Sequence, residues 1–265
     1  ESICETTIIP NHPIEIRKLK LINQGIEDET LEITTEIEPV LDTIDAYTAH
    51  PAFENLFLVY EYDKENNIFI IKRKDRSGNK KELYMAVSFF TKEETLGELE
   101  YEIDKAKFQG RRNLELPDLV ENSKPFSNKI DLTINPILAL RKTITINPKQ
   151  EIYFNLIISI SERKEEAINN LKEYKNEEKI QKSFELAKAK ADTEARYLNL
   201  NAKQIETYQK LLGYILFSNR ITRKGKYIKE YYPKEELWKY GISGDLPILV
   251  VKIKDSNEVG TLKEV

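Results

Sequence analysis

Cysteine is nearly absent from this chain, with Cys4 standing alone among 265 residues. A single thiol excludes an internal disulfide and is compatible with a reducing compartment. His12 and His50 are the only histidines, so a structural zinc site has too few soft ligands. Long apolar runs are missing too. Nothing approaches the roughly 20 residues that a membrane-spanning helix needs, and no signal peptide is visible at Glu1. A cytoplasmic chain, or the cytoplasmic part of a larger membrane-associated protein, is the expectation. Nor does one sign of charge dominate. Lys and Arg number 41 against 45 Asp and Glu, a net charge of −4, which lacks the basic excess that nucleic acid calls for. No nucleic-acid partner is expected. The first residue is not Met, which fits a piece of a longer protein.

What is present divides into a β part and a helical part. Ile14-Glu-Ile-Arg-Lys-Leu-Lys-Leu-Ile22 and Leu31-Glu-Ile-Thr-Thr-Glu-Ile37 read as half-buried strands, with Asn23-Gln-Gly25 to Asp28-Glu29 as the turn of a hairpin. Further strands are expected at residues 56–62, 68–73, 84–90, 99–103, 144–146 and 152–160. Asp63-Lys-Glu-Asn-Asn67 and Ser77-Gly-Asn79 supply turns. Many short antiparallel strands with regular turns imply a sandwich or barrel. At Ser161 the period changes from two to 3.6. Ser161 is a candidate helix cap ahead of acids that favour the positive end of the dipole. A second helix is expected over residues 177–198, with Ile180, Phe184, Ala187, Ala191, Ala195 and Leu198 on one face. A third follows Asn201, a candidate N-cap, and carries Ile205, Tyr208, Leu211, Leu212, Ile215 and Leu216. Arg220 to Tyr232 is basic and aromatic and reads as a loop.

The densest segment is Leu237-Trp-Lys-Tyr-Gly-Ile-Ser-Gly-Asp-Leu-Pro-Ile248. It reads as a polar-tipped loop leading into a buried apolar run, Ile248-Leu-Val-Val251. On residue chemistry alone, Asp245 is a turn aspartate holding backbone amides ahead of Pro247. Trp238 is expected to bury against a neighbouring helix. His50 reads as a structural histidine, because no carboxylate or nucleophile accompanies it. Arg111 and Arg112 read as a solvated or salt-bridging pair, although a guanidinium also suits phosphate or sugar hydroxyls. Ser159, Ser161 and Ser243 lack a His/Asp signature, so no serine nucleophile is indicated.

The order of four blocks carries a resemblance. Ala49-His-Pro-Ala-Phe-Glu-Asn-Leu-Phe57, Asp104-Lys-Ala-Lys-Phe-Gln-Gly-Arg-Arg112, Asn135-Pro-Ile-Leu-Ala-Leu-Arg-Lys142 and the 237–248 segment resemble the C-terminal region of cyclic β-1,2-glucan synthases. That region is grouped with the family 94 glycoside phosphorylases. The resemblance implies an antiparallel β-supersandwich over residues 1–160, linker helices over 161–200, and the truncated start of an (α/α)6 barrel over 201–265. It also implies an inverting phosphorolysis in which one carboxylic acid protonates the leaving oxygen and phosphate attacks. The family's acid lies beyond Val265, so no catalytic residue is assigned here, and the isolated chain is expected to be inactive. No cofactor or metal is expected; inorganic phosphate is a co-substrate of the parent.

The same resemblance suggests a substrate-binding role for Asp245 with Trp238, Tyr240 and Ser243. A carboxylate accepts sugar hydroxyl protons in charge-assisted bonds, the rings offer a stacking face, and Gly241 and Gly244 let the loop turn tightly. Gly-Ile-Ser replaces the Arg-Asp-Ser of cellobiose- and chitobiose-type relatives, so no arginine contact is carried over. Partners implied are a β-glucan oligosaccharide or polysaccharide, the remainder of the parent polypeptide, and a second copy in a homodimer. The alternative is a non-catalytic β-sandwich module for carbohydrate binding or dimerisation.

Overall fold

Alternating apolar and polar residues give strands with one buried face, and nine strands form among the described residues. The computed structural model describes residues 1–74, 82–111, 116–217, 230, 232–246, 248 and 250–256. It falls into two units, Glu1–Ala189 and Lys190–Val265. In the first, strands β1 (Ser2–Ile8), β2 (Ile14–Ile22), β4 (Leu58–Asp63), β5 (Ile68–Arg73), β6 (Tyr84–Phe90) and β9 (Glu151–Ser161) make one sheet. Its order is β1-β2-β9-β6-β5-β4. Strands β3 (Glu29–Ile37), β7 (Leu96–Asp104) and β8 (Pro136–Ile146) make a second, ordered β3-β8-β7. Every pairing is antiparallel. The β-rich antiparallel supersandwich expected from the sequence is therefore the fold.

Three apolar layers hold it. Phe69, Val87, Phe154 and Leu156 of the large sheet meet Leu138, Leu140, Ile144 and Ile146 of β8 between the sheets. The other face of the large sheet packs Ile16, Ile70 and Ile157 against Ala167 and Leu171 of α5 (Lys164–Tyr174) and Ile180 of α6 (Glu177–Tyr197). Burying each of the larger side chains stabilises the fold by about 1.5–3 kcal/mol. The outer face of the small sheet is covered near α3 (Lys105–Gln109) and α4 (Asp118–Glu121), where Phe108 and Phe126 enclose Ile137 and Ala139.

The structure corrects several expectations. The β2–β3 hairpin does not form, because β2 is flanked by β1 and β9 while β3 joins the other sheet. Residues 23–28 cross between the sheets, and buried Asn23 fixes the crossing. Its amide donates to the carbonyls of Glu27 and Ile146 at 2.8 and 2.9 Å. A side chain that ties the crossing segment to the β8 backbone competes with a hairpin turn. Strand β8 runs eleven residues, not three, and β1 was not anticipated. Ser161 ends β9 instead of capping α5, which starts at Lys164. Its hydroxyl still accepts from the Arg163 amide at 3.2 Å and donates to Glu166 at 2.7 Å. The Ser77–Asn79 turn lies outside the described residues, as does most of the 220–232 loop.

Helices α1 (Ile44–Ala49) and α2 (Pro51–Asn55) were not foreseen, being shorter than a sequence period reveals. In the second unit, α7 (Ala202–Leu216) begins as expected: Asn201 and Gln204 form a reciprocal capping box. No described residue from 190 onward is buried. Ile248, Val250 and Val251 are accordingly exposed, which overturns the buried apolar run. An apolar run is buried only where an opposing layer covers it.

One strand carboxylate gives a pH test. Glu36 on β3 has a buried Oε1 with no hydrogen-bond partner among the described residues. Burial, then the neighbouring Glu38 charge, push its pKa up, and Lys105 opposes them. A carboxyl whose folded pKa is raised stabilises the fold in acid and loses that contribution as pH rises through the folded value. Glu36→Gln is therefore expected to raise the urea midpoint at pH 7, with the gain vanishing below about pH 4. A midpoint that falls at pH 7 would contradict this account of Glu36.

Candidate functional site

The 233–246 segment builds a small loop from its own turn chemistry. Pro233 enters extended at φ −66°, and a 3-10 helix runs over Lys234–Tyr240. Its first turn carries Glu235 and Glu236, which suit the positive end of the dipole. Gly241, at φ +74°, ends the helix in the left-handed region that favours glycine, with its amide on the Trp238 carbonyl at 2.9 Å. Gly244 makes a second such reversal at φ +74°. A Cβ on it would lie 3.1 Å from Leu237 and 3.3 Å from Lys234. These two reversals return the chain onto the helix, so that Asp245 Oδ1 accepts from the Lys234 ammonium at 2.6 Å.

All four anticipated site residues sit on this element. Trp238 is 60% exposed and its indole N–H donates to the Ser243 carbonyl at 3.3 Å. It is not buried against a helix, because no described part of its own unit supplies a covering layer. Tyr240 is exposed, with the Lys239 ammonium 5.3 Å from its ring centre. The Ser243 hydroxyl accepts from the Asp245 amide at 3.4 Å, a local turn bond. The loop thus presents an indole, a phenol and a carboxylate to solvent within eight residues. Chemically it can stack on an apolar ring face and accept hydroxyl protons. Lys234 is the partner sequence reasoning missed. Its signal was the short Pro-Lys-Glu-Glu start, which places it one 3-10 helix and two glycine reversals from Asp245. Pro247 lies outside the described residues.

The other three blocks build scaffold. In the first, His50 is exposed, and its carbonyl starts α2 by accepting from Phe53 and Glu54. Glu54, with Asp42, instead grips Arg73 of β5, whose guanidinium lies 5.4 Å from the Phe57 ring centre. In the second, Asp104 caps α3 by accepting from Ala106 and Lys107, and Phe108 enters the core. Arg111 is exposed, and Arg112 lies outside the described residues. In the third, Arg141 is 3% exposed and reaches Glu100 at 2.6 Å, Glu32 at 3.3 Å and the Lys124 carbonyl at 2.9 Å. Cys4 is exposed on β1.

No helix among the described residues is long and apolar enough to cross a membrane. Cyclic beta-(1,2)-glucan synthase NdvB of Rhizobium meliloti (strain 1021) is 24% identical to this chain over 266 residues. The match takes in 98% of this chain but only 9% of that protein's length. A family model described as glycosyl hydrolase 94, supersandwich domain, matches residues 1–177. Those residues span both sheets and helix α5 and end on the first residue of α6. On that match, the chain belongs to the glycosyl hydrolase 94 supersandwich family.

Proposed function

We propose that this chain is part of a carbohydrate-active enzyme of the cyclic β-1,2-glucan synthase type, an inverting glycoside phosphorylase in chemistry, acting on β-glucan. The observation that carries the reading is the match to the synthase across 98% of this chain. In this proposal residues 1–160 are the supersandwich, 161–200 a helical linker and 201–265 the first piece of an (α/α)6 barrel. The exposed apolar face of α7, with Leu212, Ile215 and Leu216 in solvent, supports it, since a barrel helix needs neighbours on that face. Inorganic phosphate is the co-substrate, attacking the anomeric carbon with inversion. A carboxylic acid outside these residues protonates the leaving oxygen.

The 237–245 loop forms one wall of the sugar subsite. Asp245 accepts hydroxyl protons, Trp238 and Tyr240 cover a ring face, and Ser243 adds a donor at the rim. The Lys234–Asp245 pair does not stand in the way. Both side chains are more than half exposed, and a pair of that kind contributes about 0–1 kcal/mol, so exchange for sugar hydroxyls is cheap. Supplied with β-1,2-glucan and phosphate, the 265-residue chain should release no glucose 1-phosphate, while the intact polypeptide containing it should. Release by the chain alone, or none by the intact polypeptide, overturns the reading.

A further inference from the structure

Lys142 points the wrong way for a charged residue. Along β8, Leu138, Leu140, Ile144 and Ile146 all enter the layer between the sheets, and strict alternation puts Lys142 on that same face. Its register partner on β3, Ile33, packs against the same layer. Inward charges guard exposed edge strands against pairing, but β8 lies between β3 and β7 and has no edge to guard. Lysine commonly carries its ammonium along the stem to open water, whereas the Lys142 side chain keeps part of its surface covered. It is partly buried, and burial holds its pKa below the usual lysine range. Among the described residues no carboxylate pairs with it. Its one hydrogen-bond partner among the described residues is the Thr95 hydroxyl, at a marginal 3.5 Å.

The ammonium lines a cleft of 610 Å³ that opens between the β4–β5 turn of the large sheet and β7 of the small one. Tyr62 and Tyr101 form its aromatic wall, ring centres 5.2 Å apart. The acids that share the lining are already engaged. Glu98 pairs with Lys64 at 2.8 Å and Glu100 with Arg141 at 2.6 Å. The Tyr101 hydroxyl has no partner among the described residues. Lys175 lies outside the lining, with its ammonium on the Asn66 carbonyl at 2.7 Å; burial, and after it the Lys142 charge, depress its pKa, while Asp63 opposes them. An uncompensated, partly buried cation is costly unless an anion meets it.

We infer that this cleft is a second ligand site, seating the phosphate or carboxylate of a small organic anion on the Lys142 ammonium with the Tyr101 hydroxyl as a further donor. The tyrosine wall and the nearby Asn128 suit a hydroxylated ring on that anion, which makes a sugar phosphate the chemical class. The ring half of the inference rests on the carbohydrate reading above; the anion half does not.

Calorimetric titration of the 265-residue chain with glucose 1-phosphate, inorganic phosphate and glucose tests both halves. Glucose 1-phosphate is expected to bind tightest, and Lys142→Met to weaken it about tenfold or more. Tyr101→Phe should weaken it less. Glucose should bind too weakly to detect. Lys142→Met keeps the apolar stem and should melt no lower than the parent chain, so a loss of binding reports the charge and not unfolding. Absence of glucose 1-phosphate binding, equal binding by Lys142→Met, or equal binding of glucose would overturn the anion site. Inorganic phosphate binding through Lys142 as tightly as glucose 1-phosphate would uphold the anion seat and overturn the sugar ring.

Discussion

Arg141→Ala is expected to lower the stability of the sandwich unit by about 3–5 kcal/mol, because it strips the buried cation from a charge network whose acids are partly exposed. Arg141 is 3% exposed, and its Nε and Nη2 both reach Glu100 Oε2, at 2.7 and 2.6 Å. It also donates to the Lys124 carbonyl at 2.9 Å and covers the Phe126 ring at 4.4 Å. Removing it leaves Glu100 with an unbalanced charge and unpins the segment that carries Phe126 over Ile137. Folded domains have roughly 5–15 kcal/mol in hand, so the loss is a large fraction of the whole. At 2–4 °C per kcal/mol for a unit of this size, the melting temperature should fall by roughly 6–20 °C. Arg141→Lys should recover only part of it, since one ammonium cannot reproduce the planar fork. Pairing Arg141→Ala with Glu100→Gln should cost less than the two singles added together, because the orphaned charge is gone. Additive losses in urea unfolding would show that the two do not act as a unit.

On the proposed reading, Asp245→Asn is expected to cut kcat/KM of the intact polypeptide on β-1,2-glucan by about 10–150-fold, the equivalent of about 1.5–3 kcal/mol of charge-assisted hydrogen bonding. The amide keeps the shape of the side chain but trades one acceptor oxygen for a donor. Lys234→Met is the control. It breaks the 2.6 Å pair to Asp245, so a merely structural aspartate predicts that both variants act alike. A sugar-binding aspartate predicts that Lys234→Met leaves kcat/KM within a factor of about three, since an exposed pair contributes little. Equal losses in the two variants would sink the sugar-binding role.

Much of the fold was legible because burial on one face writes itself into the sequence at period two. Strand β2 falls where the alternation places it, β5 and β6 fall on apolar runs bounded by turn residues, and α6 and α7 follow the change to period 3.6. What the sequence hid is pairing. Nothing local tells Ile14 that its partner is Ser159 and not a residue on the next strand. The decisive contact there, Asn23 to the Ile146 carbonyl, spans most of the domain. Strand β8 was hidden differently: its apolar start enters two different layers by alternate residues and so shows no alternation of its own. For the candidate site, the glycines, the aromatic pair and Asp245 were readable as a loop. The Lys234 contact was not, because it depends on two left-handed turns whose combined direction no pattern states.

The order β1-β2-β9-β6-β5-β4 also has a consequence in time. Strand β9 is the last strand of the domain to leave the ribosome, yet it stands in the middle of the large sheet, joining β2 on one side and β6 on the other. Until residue 161 is made, the nascent chain holds a β1–β2 ribbon and a β4–β5–β6 meander with no strand to unite them. Two- and three-stranded pieces of this kind are marginal in water, and their open edges invite pairing with other chains. At synthesis rates of about 5–20 residues per second, that interval lasts several seconds. The sandwich is thus most open to wrong pairing while it is being made, and the arrival of one eleven-residue strand closes its two inner edges.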